Sequence, residues 1–196
     1  MKYIFLFFIS LNLTVSAQNT DIDILKSINL NRNRKLDNTF IFISNSIVPV
    51  SVGVPLGVIG TGFLKRDSTI KNKGIVIGAS LLVAAGITTG LKYSVKRERP
   101  FVTYPVIDKV MNAGSPSFPS GHTSDAFATA TSLSLAFPKW YIIAPSFVWA
   151  GSVGYSRMDL GVHYPSDVLA GAAIGAGTSY LCYKANKWLH ERHLKK

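Results

Sequence analysis

The chain carries a single cysteine, Cys182, so no disulfide can close within it, and no Cys/His cluster has metal-site spacing. Charge is scarce too, at 16% of 196 residues. Soluble globular domains average about 25%. Acidic residues are the scarcest part, with 10 Asp and Glu against 21 Lys and Arg, a net charge of +11. Internal repeats and low-complexity tracts are absent. What fills the chain instead is apolar: 47% hydrophobic residues and a mean hydropathy of +0.25. That composition excludes disorder and argues against a freely soluble protein. The basic surplus fits nucleic acid, an anionic membrane surface or an anionic substrate. A nucleic-acid binder would gather its cations on one polar face. Here they fall between long apolar stretches, the pattern of membrane topology, so no nucleic-acid partner is expected. The length suits one domain.

The N-terminus has the three-part layout of a secretory signal. Met1-Lys2 is basic, Tyr3 to Val15 is almost continuously apolar, and Val15-Ser16-Ala17 offers small residues at a cleavage site. Residues 1–17 are read as a signal peptide cleaved after Ala17; an uncleaved anchor would leave the rest of the topology unchanged. Residues 18–38 form an N-terminal segment on the outer side. Within it Ile22, Leu25, Ile28 and Leu30 suggest a short amphipathic helix, lying on the membrane surface or packed on the protein.

Five apolar segments follow: Phe40–Leu64, Gly74–Leu91, His122–Phe137, Trp140–Tyr155 and Val168–Tyr183. A hydrocarbon core of ~30 Å needs about 20 helical residues, so the last three must each extend by a turn into flanking polar residues. Their Gly, Ala, Ser and Thr content permits close packing in lipid, and Gly171 to Gly175 is a GxxxG case without an evident partner. The expected fold is all-α, an integral membrane helical bundle with about five transmembrane helices after the cleaved signal peptide. Residues 39–190 form the membrane domain and residues 191–196 a basic cytoplasmic tail. Lys65-Arg66, Lys71, Lys73, Lys139 and the run from Lys184 to Lys196 fall on one side, which the positive-inside rule makes cytoplasmic. Trp140 and Trp188 sit at span ends as interfacial anchors, and His190 and His193 are tail residues. Lys92–Gly121 then faces outward although it holds Lys92, Lys96, Arg97, Arg99 and Lys109, which suggests that it binds an anion.

Three clusters share that outward face: Lys92 to Arg99-Pro100, Pro119-Ser120-Gly121-His122, and Ser156-Arg157 to His163 and Asp167. Lys92, Arg99 and Arg157 are three cations for one anionic group; Arg offers phosphate a planar fork and Lys a point charge. Ser120-Gly121 opens an apolar helix, whose first N–H groups lack internal partners and suit phosphate. Pro165 fits a first helical position, which puts Asp167 in the first turn, within reach of a ring nitrogen of His163. An Asp that holds one nitrogen leaves the other as a lone-pair nucleophile.

These clusters resemble the type 2 phosphatidic acid phosphatase superfamily, which also includes bacterial class A acid phosphatases and vanadium haloperoxidases. Its signature is Lys, six residues, Arg-Pro; Pro-Ser-Gly-His; then Ser-Arg, five residues, His, three residues, Asp, and every fixed position is present. The resemblance implies that His163 attacks phosphorus to form a phosphohistidine, oriented by Asp167. It implies that His122 protonates the leaving oxygen and then activates water. Lys92, Arg99 and Arg157 would hold the phosphate oxygens, with hydrogen bonds from Ser120 and the Gly121 amide. No metal and no cofactor are expected. The partner implied is a phospholipid or glycolipid phosphate, attacked from the periplasmic face of a bacterial cytoplasmic membrane.

Members with this layout act on lipid A phosphates, polyprenyl pyrophosphate, phosphatidylglycerol phosphate or phosphatidic acid. The basic surplus leans slightly to lipid A; undecaprenyl pyrophosphate and phosphatidylglycerol phosphate are the alternatives. A haloperoxidase, or a non-catalytic lipid-phosphate binding protein with a relict site, is the competing class. Loop Phe101–Phe118 is the expected headgroup pocket, with Tyr104, Asn112 and Ser115 as candidates. Lys96 and Arg97 match no signature position and read as interface charges. Pro100, Pro119 and Ser156 read as setting turns and caps. Asp125, one turn after His122, is expected to partner a site cation, with tuning of His122 as the other reading.

Overall fold

Each of the five apolar segments from Phe40 onward folds as a helix, and among the described residues there is no strand. The computed structural model describes residues 20–193, so the signal-peptide reading and the end of the tail lie outside them. In chain order the helices are α1 (residues 20–30), α2 (Asp37–Asn45), α3 (Ile47–Leu64), α4 (Ser68–Val95), α5 (Pro100–Thr103), α6 (Gly121–Ala136), α7 (Trp140–Asp159) and α8 (Pro165–His193). A 3₁₀ turn, Arg34–Leu36, leads into α2, and α2 runs through Ser46 into α3.

The breaks between helices follow local chemistry. Asp67 caps α4 by accepting from Thr69 N at 2.8 Å and Ile70 N at 3.1 Å. Lys96, at φ 53°, ends it in the left-handed region. Pro100 and Pro165 occupy first helical positions, where a missing N–H costs nothing. Gly161, at φ 73°, turns the chain between α7 and α8, and a Cβ there would strike the Asp108 carbonyl.

Two helical stretches, Arg34–Leu64 and Ser68–Thr103, are long and apolar enough to cross a membrane. Helix α7, at 20 residues, and α8, at 29, extend past the apolar limits of their segments as expected. Helix α6 does not: it keeps 16 residues, about 24 Å, because Ser120 caps it at one end and Phe137-Pro138 closes it at the other.

Packing places α6 against α8, α7, α4 and α3. Its contacts are made by small and hydroxylated residues. Thr88 of α4 donates to Ser124 at 2.9 Å, Thr129 to Ser51 of α3 at 3.1 Å, and Ser179 of α8 to the Ala128 carbonyl at 2.9 Å. Gly171 and Gly175 of α8 lie directly on the α6 backbone, which gives the GxxxG stripe its partner. Large apolar side chains point the other way, with Leu82 77% and Leu169 71% exposed. Small polar groups inside and Leu outside is the arrangement a lipid solvent selects.

Helix α1 takes the packed alternative. Ile22 and Leu25 are buried against Ile107 and Tyr164, and Leu30 stays exposed. Asn29 fixes the loop behind it, donating to the Asp108 carbonyl at 3.0 Å and the Asp159 carbonyl at 2.8 Å, and accepting from Asp108 N at 2.8 Å.

Candidate active site

All eight candidate residues meet at one end of the bundle. Lys92 is in the last turn of α4, Arg99 caps α5, and Ser120, Gly121 and His122 open α6. Arg157 is in the last turn of α7, His163 in the turn that follows, and Asp167 in the first turn of α8. The Ser120 amide donates to the Asp167 carbonyl at 3.0 Å, which ties the start of α6 to the start of α8. Lys65, Arg66 and Lys187 lie at the far end of the same helices.

His163 is 1% exposed and Asp167 fully buried. Nδ1 of His163 lies 3.3 Å from Oδ2 of Asp167, and Nε2 lies 3.3 Å from Nη1 of Arg99. A guanidinium can only donate, so Nε2 must accept and Nδ1 must carry the ring proton. The geometry therefore selects one tautomer, with the lone pair on Nε2. Burial, opposed by the Asp167 hydrogen bond and aided by the Arg99 charge, pushes the imidazole down to about 3, so it is neutral at physiological pH.

The three cations are buried around this ring. Arg99 donates through Nε to the Ser115 carbonyl at 2.8 Å and through Nη1 to the Val162 carbonyl at 2.7 Å. Lys92 Nζ donates to the carbonyls of Pro116 at 2.6 Å and Ser117 at 3.3 Å. Arg157 donates through Nη1 to the Ser44 hydroxyl and to Sδ of Met111, and its buried Nε has no partner among the described residues. Three like charges held this close repel one another, and a bound anion is the natural relief.

Ser120 accepts from the amide of Thr123 at 3.4 Å and from its hydroxyl at 2.9 Å, so its oxygen serves as the α6 cap. A Cβ on Gly121 would sit 3.8 Å from Lys92 Cε, which sets the first α6 residue beside that cation. His122 is half-buried, within reach of the charges of Arg157, Arg99 and Lys92, and its ring makes no hydrogen bond among the described residues.

Several expectations are corrected here. Arg97 is no free interface charge: it pairs with Asp167 and Asp21, each at 2.7 Å, and lies 3.8 Å from the Tyr164 ring centroid. Asp125 makes no ion pair with a site cation; its Oδ1 is buried without a partner among the described residues. Ser156 lies inside α7, donating to the Val153 carbonyl at 2.7 Å, and sets no cap. Of the pocket candidates, Ser115 contacts Arg99, Asn112 is exposed, and Tyr104 packs against the α1 cluster.

Sequence reasoning missed Ser117, whose hydroxyl donates to Asp167 Oδ2 at 2.5 Å and lies 3.4 Å from His163 Nδ1. It also missed Ser44, Met111 and Asp21. Ser117 and Met111 lie in the loop Phe101–Phe118 and were findable by proximity; Ser44 and Asp21 come from distant segments that only the fold brings in.

Residues 73–191 match the model of the PAP2 superfamily. Undecaprenyl-diphosphatase from Sulfolobus acidocaldarius is 31% identical over 165 residues, 82% of this chain and 76% of that protein. Lipid A 1-phosphatase from Porphyromonas gingivalis is 31% identical over 152 residues, 76% of this chain but only 30% of that longer protein. The crystal structure of the first transmembrane PAP2 type phosphatidylglycerolphosphate phosphatase from Bacillus subtilis superposes with a TM-score of 0.70 at 26% identity, covering 93% of this chain and 94% of that one. With the three-part signature gathered at one end of an all-helical bundle, these matches show that the chain belongs to the PAP2 superfamily, where the relatives named above are phosphatases of lipid-linked phosphates.

Proposed function

We propose that the protein hydrolyses a phosphate monoester or diphosphate on a lipid headgroup, through a phosphohistidine on His163, at the periplasmic face of a bacterial cytoplasmic membrane. One observation carries this reading: a buried His163 whose Nδ1 is held by Asp167 while its Nε2 faces Arg99. Nε2 attacks phosphorus in line, the N–P bond forms, and the P–O bond to the lipid breaks. His122 gives its proton to the leaving oxygen. It then takes a proton from water, which attacks the phosphohistidine, releases phosphate and restores His163. Lys92, Arg99 and Arg157 hold the phosphate oxygens, and the free Nε of Arg157 is a donor ready for one of them. The Gly121 amide, at the start of α6, adds a donor from the helix end.

Five spans and a cleaved signal peptide complete the reading. The basic far end, with Lys65, Arg66, Lys71, Lys73 and Lys187, supports a cytoplasmic placement for that side and a periplasmic one for the site. In that orientation a headgroup enters from the outer leaflet while its chains stay in lipid. The basic surplus favours a multiply anionic headgroup, lipid A or a pyrophosphate. In the outward loop Arg97 is taken up by carboxylates and Lys109 sits 4.6 Å from the Phe101 ring centroid, so fewer of its cations are free for a headgroup. Lipid A and undecaprenyl diphosphate therefore enter the assay on equal terms.

The test is phosphate release by detergent-purified protein in EDTA, offered lipid A, undecaprenyl diphosphate, phosphatidylglycerol phosphate and phosphatidic acid, with His163→Ala run alongside. Release from one lipid that survives EDTA and vanishes in the variant is the expected result. Release that the variant retains removes His163 as nucleophile, and release from none of the four removes the lipid-phosphate reading.

A further inference from the structure

Asp21 lies far upstream of residues 73–191, the stretch matched by the superfamily model, and belongs to no part of the signature. The fold nevertheless brings it to the back of the site. Its Oδ1 accepts from the Ser166 amide at 2.8 Å, so a carboxylate on α1 satisfies one of the free N–H groups at the start of α8. Its Oδ2 accepts from the Ser166 hydroxyl at 2.5 Å and from Nη2 of Arg97 at 2.7 Å. The other arm of the guanidinium, Nη1, donates to Oδ1 of Asp167 at 2.7 Å and to the Ser166 hydroxyl at 2.7 Å. Arg97 thus lies between two carboxylates, with its plane against the Tyr164 ring.

We infer that Arg97 and Asp21 are positioning residues for Asp167, and through it for His163, so that the N-terminal helix α1 is a working part of the active site. The inference rests on the reading of His163 as nucleophile. Asp167 is fully buried and receives four groups. Oδ2 accepts from Ser117, from the Tyr164 amide at 3.1 Å and from His163, leaving Oδ1 to Arg97. Among the described residues Arg97 makes the one Arg or Lys ion pair to this carboxylate. It therefore fixes the rotation that aims Oδ2 at His163 Nδ1, and with that the ring orientation that presents Nε2. The pair with Asp21 and the Tyr164 ring remove the freedom Arg97 would otherwise have. Two carboxylates share its one charge, so removing Arg97 leaves Asp21 and Asp167 without their common cation. The Arg97 and Asp21 side chains bond Ser166, Asp167 and each other but none of Lys92, Arg99 and Arg157, so the phosphate cradle and these two positioning residues are separable.

The experiment measures kcat and KM on whichever lipid of the panel the wild type hydrolyses fastest, together with inhibition by inorganic phosphate, which reads the cradle. The variants are Arg97→Gln, Arg97→Lys and Asp21→Asn, each checked for folding by thermal unfolding. Partners one step behind a reacting group typically contribute about tenfold to hundredfold. Arg97→Gln is expected to lose that much kcat and Asp21→Asn between about threefold and tenfold. KM and the phosphate inhibition constant should stay within about twofold, since the cradle cations are untouched. Arg97→Lys, which restores the charge but not the fork, should recover part of the loss. Wild-type kcat in Arg97→Gln and Asp21→Asn overturns the inference, as does a parallel weakening of kcat, KM and phosphate inhibition, which would mean that α1 merely holds the fold together. If Arg97→Gln does not fold, Asp21→Asn decides by the same two readings. A wild type inactive on all four lipids, or one matched by His163→Ala, overturns the nucleophile reading itself and this inference with it.

Discussion

Replacing Gly171 by alanine tests whether the α6–α8 contact sets the catalytic geometry. A Cβ at Gly171 would stand 2.5 Å from the Ser120 carbonyl oxygen and 3.2 Å from both Ser124 N and Thr123 Cβ. Ordinary contact begins near 3.4 Å, so the helices must part by about 0.9 Å at this level. The opposing atom is backbone and cannot swing aside. Ser120 immediately precedes Gly121 and His122, and Gly171 lies one turn after Asp167, so the displacement falls between the two halves of the site. An error of about 1 Å between reacting groups can cost on the order of 10²-fold. Overpacking of this kind typically costs ~1–3 kcal/mol, part of it offset by alanine's better helix propensity, so the protein should still fold. Gly177→Ala, on the same helix with open space around its Cβ, is the control. We expect Gly171→Ala to lose about a hundredfold in kcat while remaining folded by thermal unfolding, and Gly177→Ala to match the wild type. Wild-type kcat in a folded Gly171→Ala would show that the helix spacing does not govern the reaction.

Three further predictions follow from other parts of the structure. His122→Ala should lose about 10²–10⁴-fold on lipid substrates and less on a substrate with a good leaving group, and equal losses on both would count against its role as acid. Asn29→Ala should lower the unfolding temperature by on the order of 5 °C, since two carbonyls and an amide behind the site lose their partner; an unchanged melting curve would contradict this. The hydrogen bond from Arg32, at 2.7 Å, holds the Asp108 carboxyl below its usual 3.8. The stabilisation is present above the unfolded value and fades as pH falls through the lower folded one. Asp108→Asn should therefore melt below the wild type at neutral pH, with the gap closing below about pH 4, and a gap that persists unchanged into that range would refute the pairing.

The candidate site was legible in the sequence because the relations between its residues are local. The step from His163 to Asp167 is one helical turn, Pro165 marks where that turn begins, and Ser120 caps α6 from three residues before Thr123. Such relations depend on spacing alone, and spacing survives in one dimension. The helices were legible for a similar reason, although the reach of α6 was not, because its length is set by a cap and a proline rather than by its apolar content. What the sequence hid was every contact made across the fold. Arg97 carries the same side chain as a lipid-facing interface cation, and only the arrival of Asp21 from 76 residues away distinguishes it. Asp125 illustrates the converse. Its place one turn below His122 suggested a cation partner, but the site cations face carbonyls of the loop before α6 and groups on α2 instead. Local spacing therefore identifies which groups can react, while the long-range carboxylate–guanidinium chain behind Asp167 determines how firmly the ring is aimed. That division explains why a short motif can be intact in a protein whose competence still depends on a helix the motif does not include.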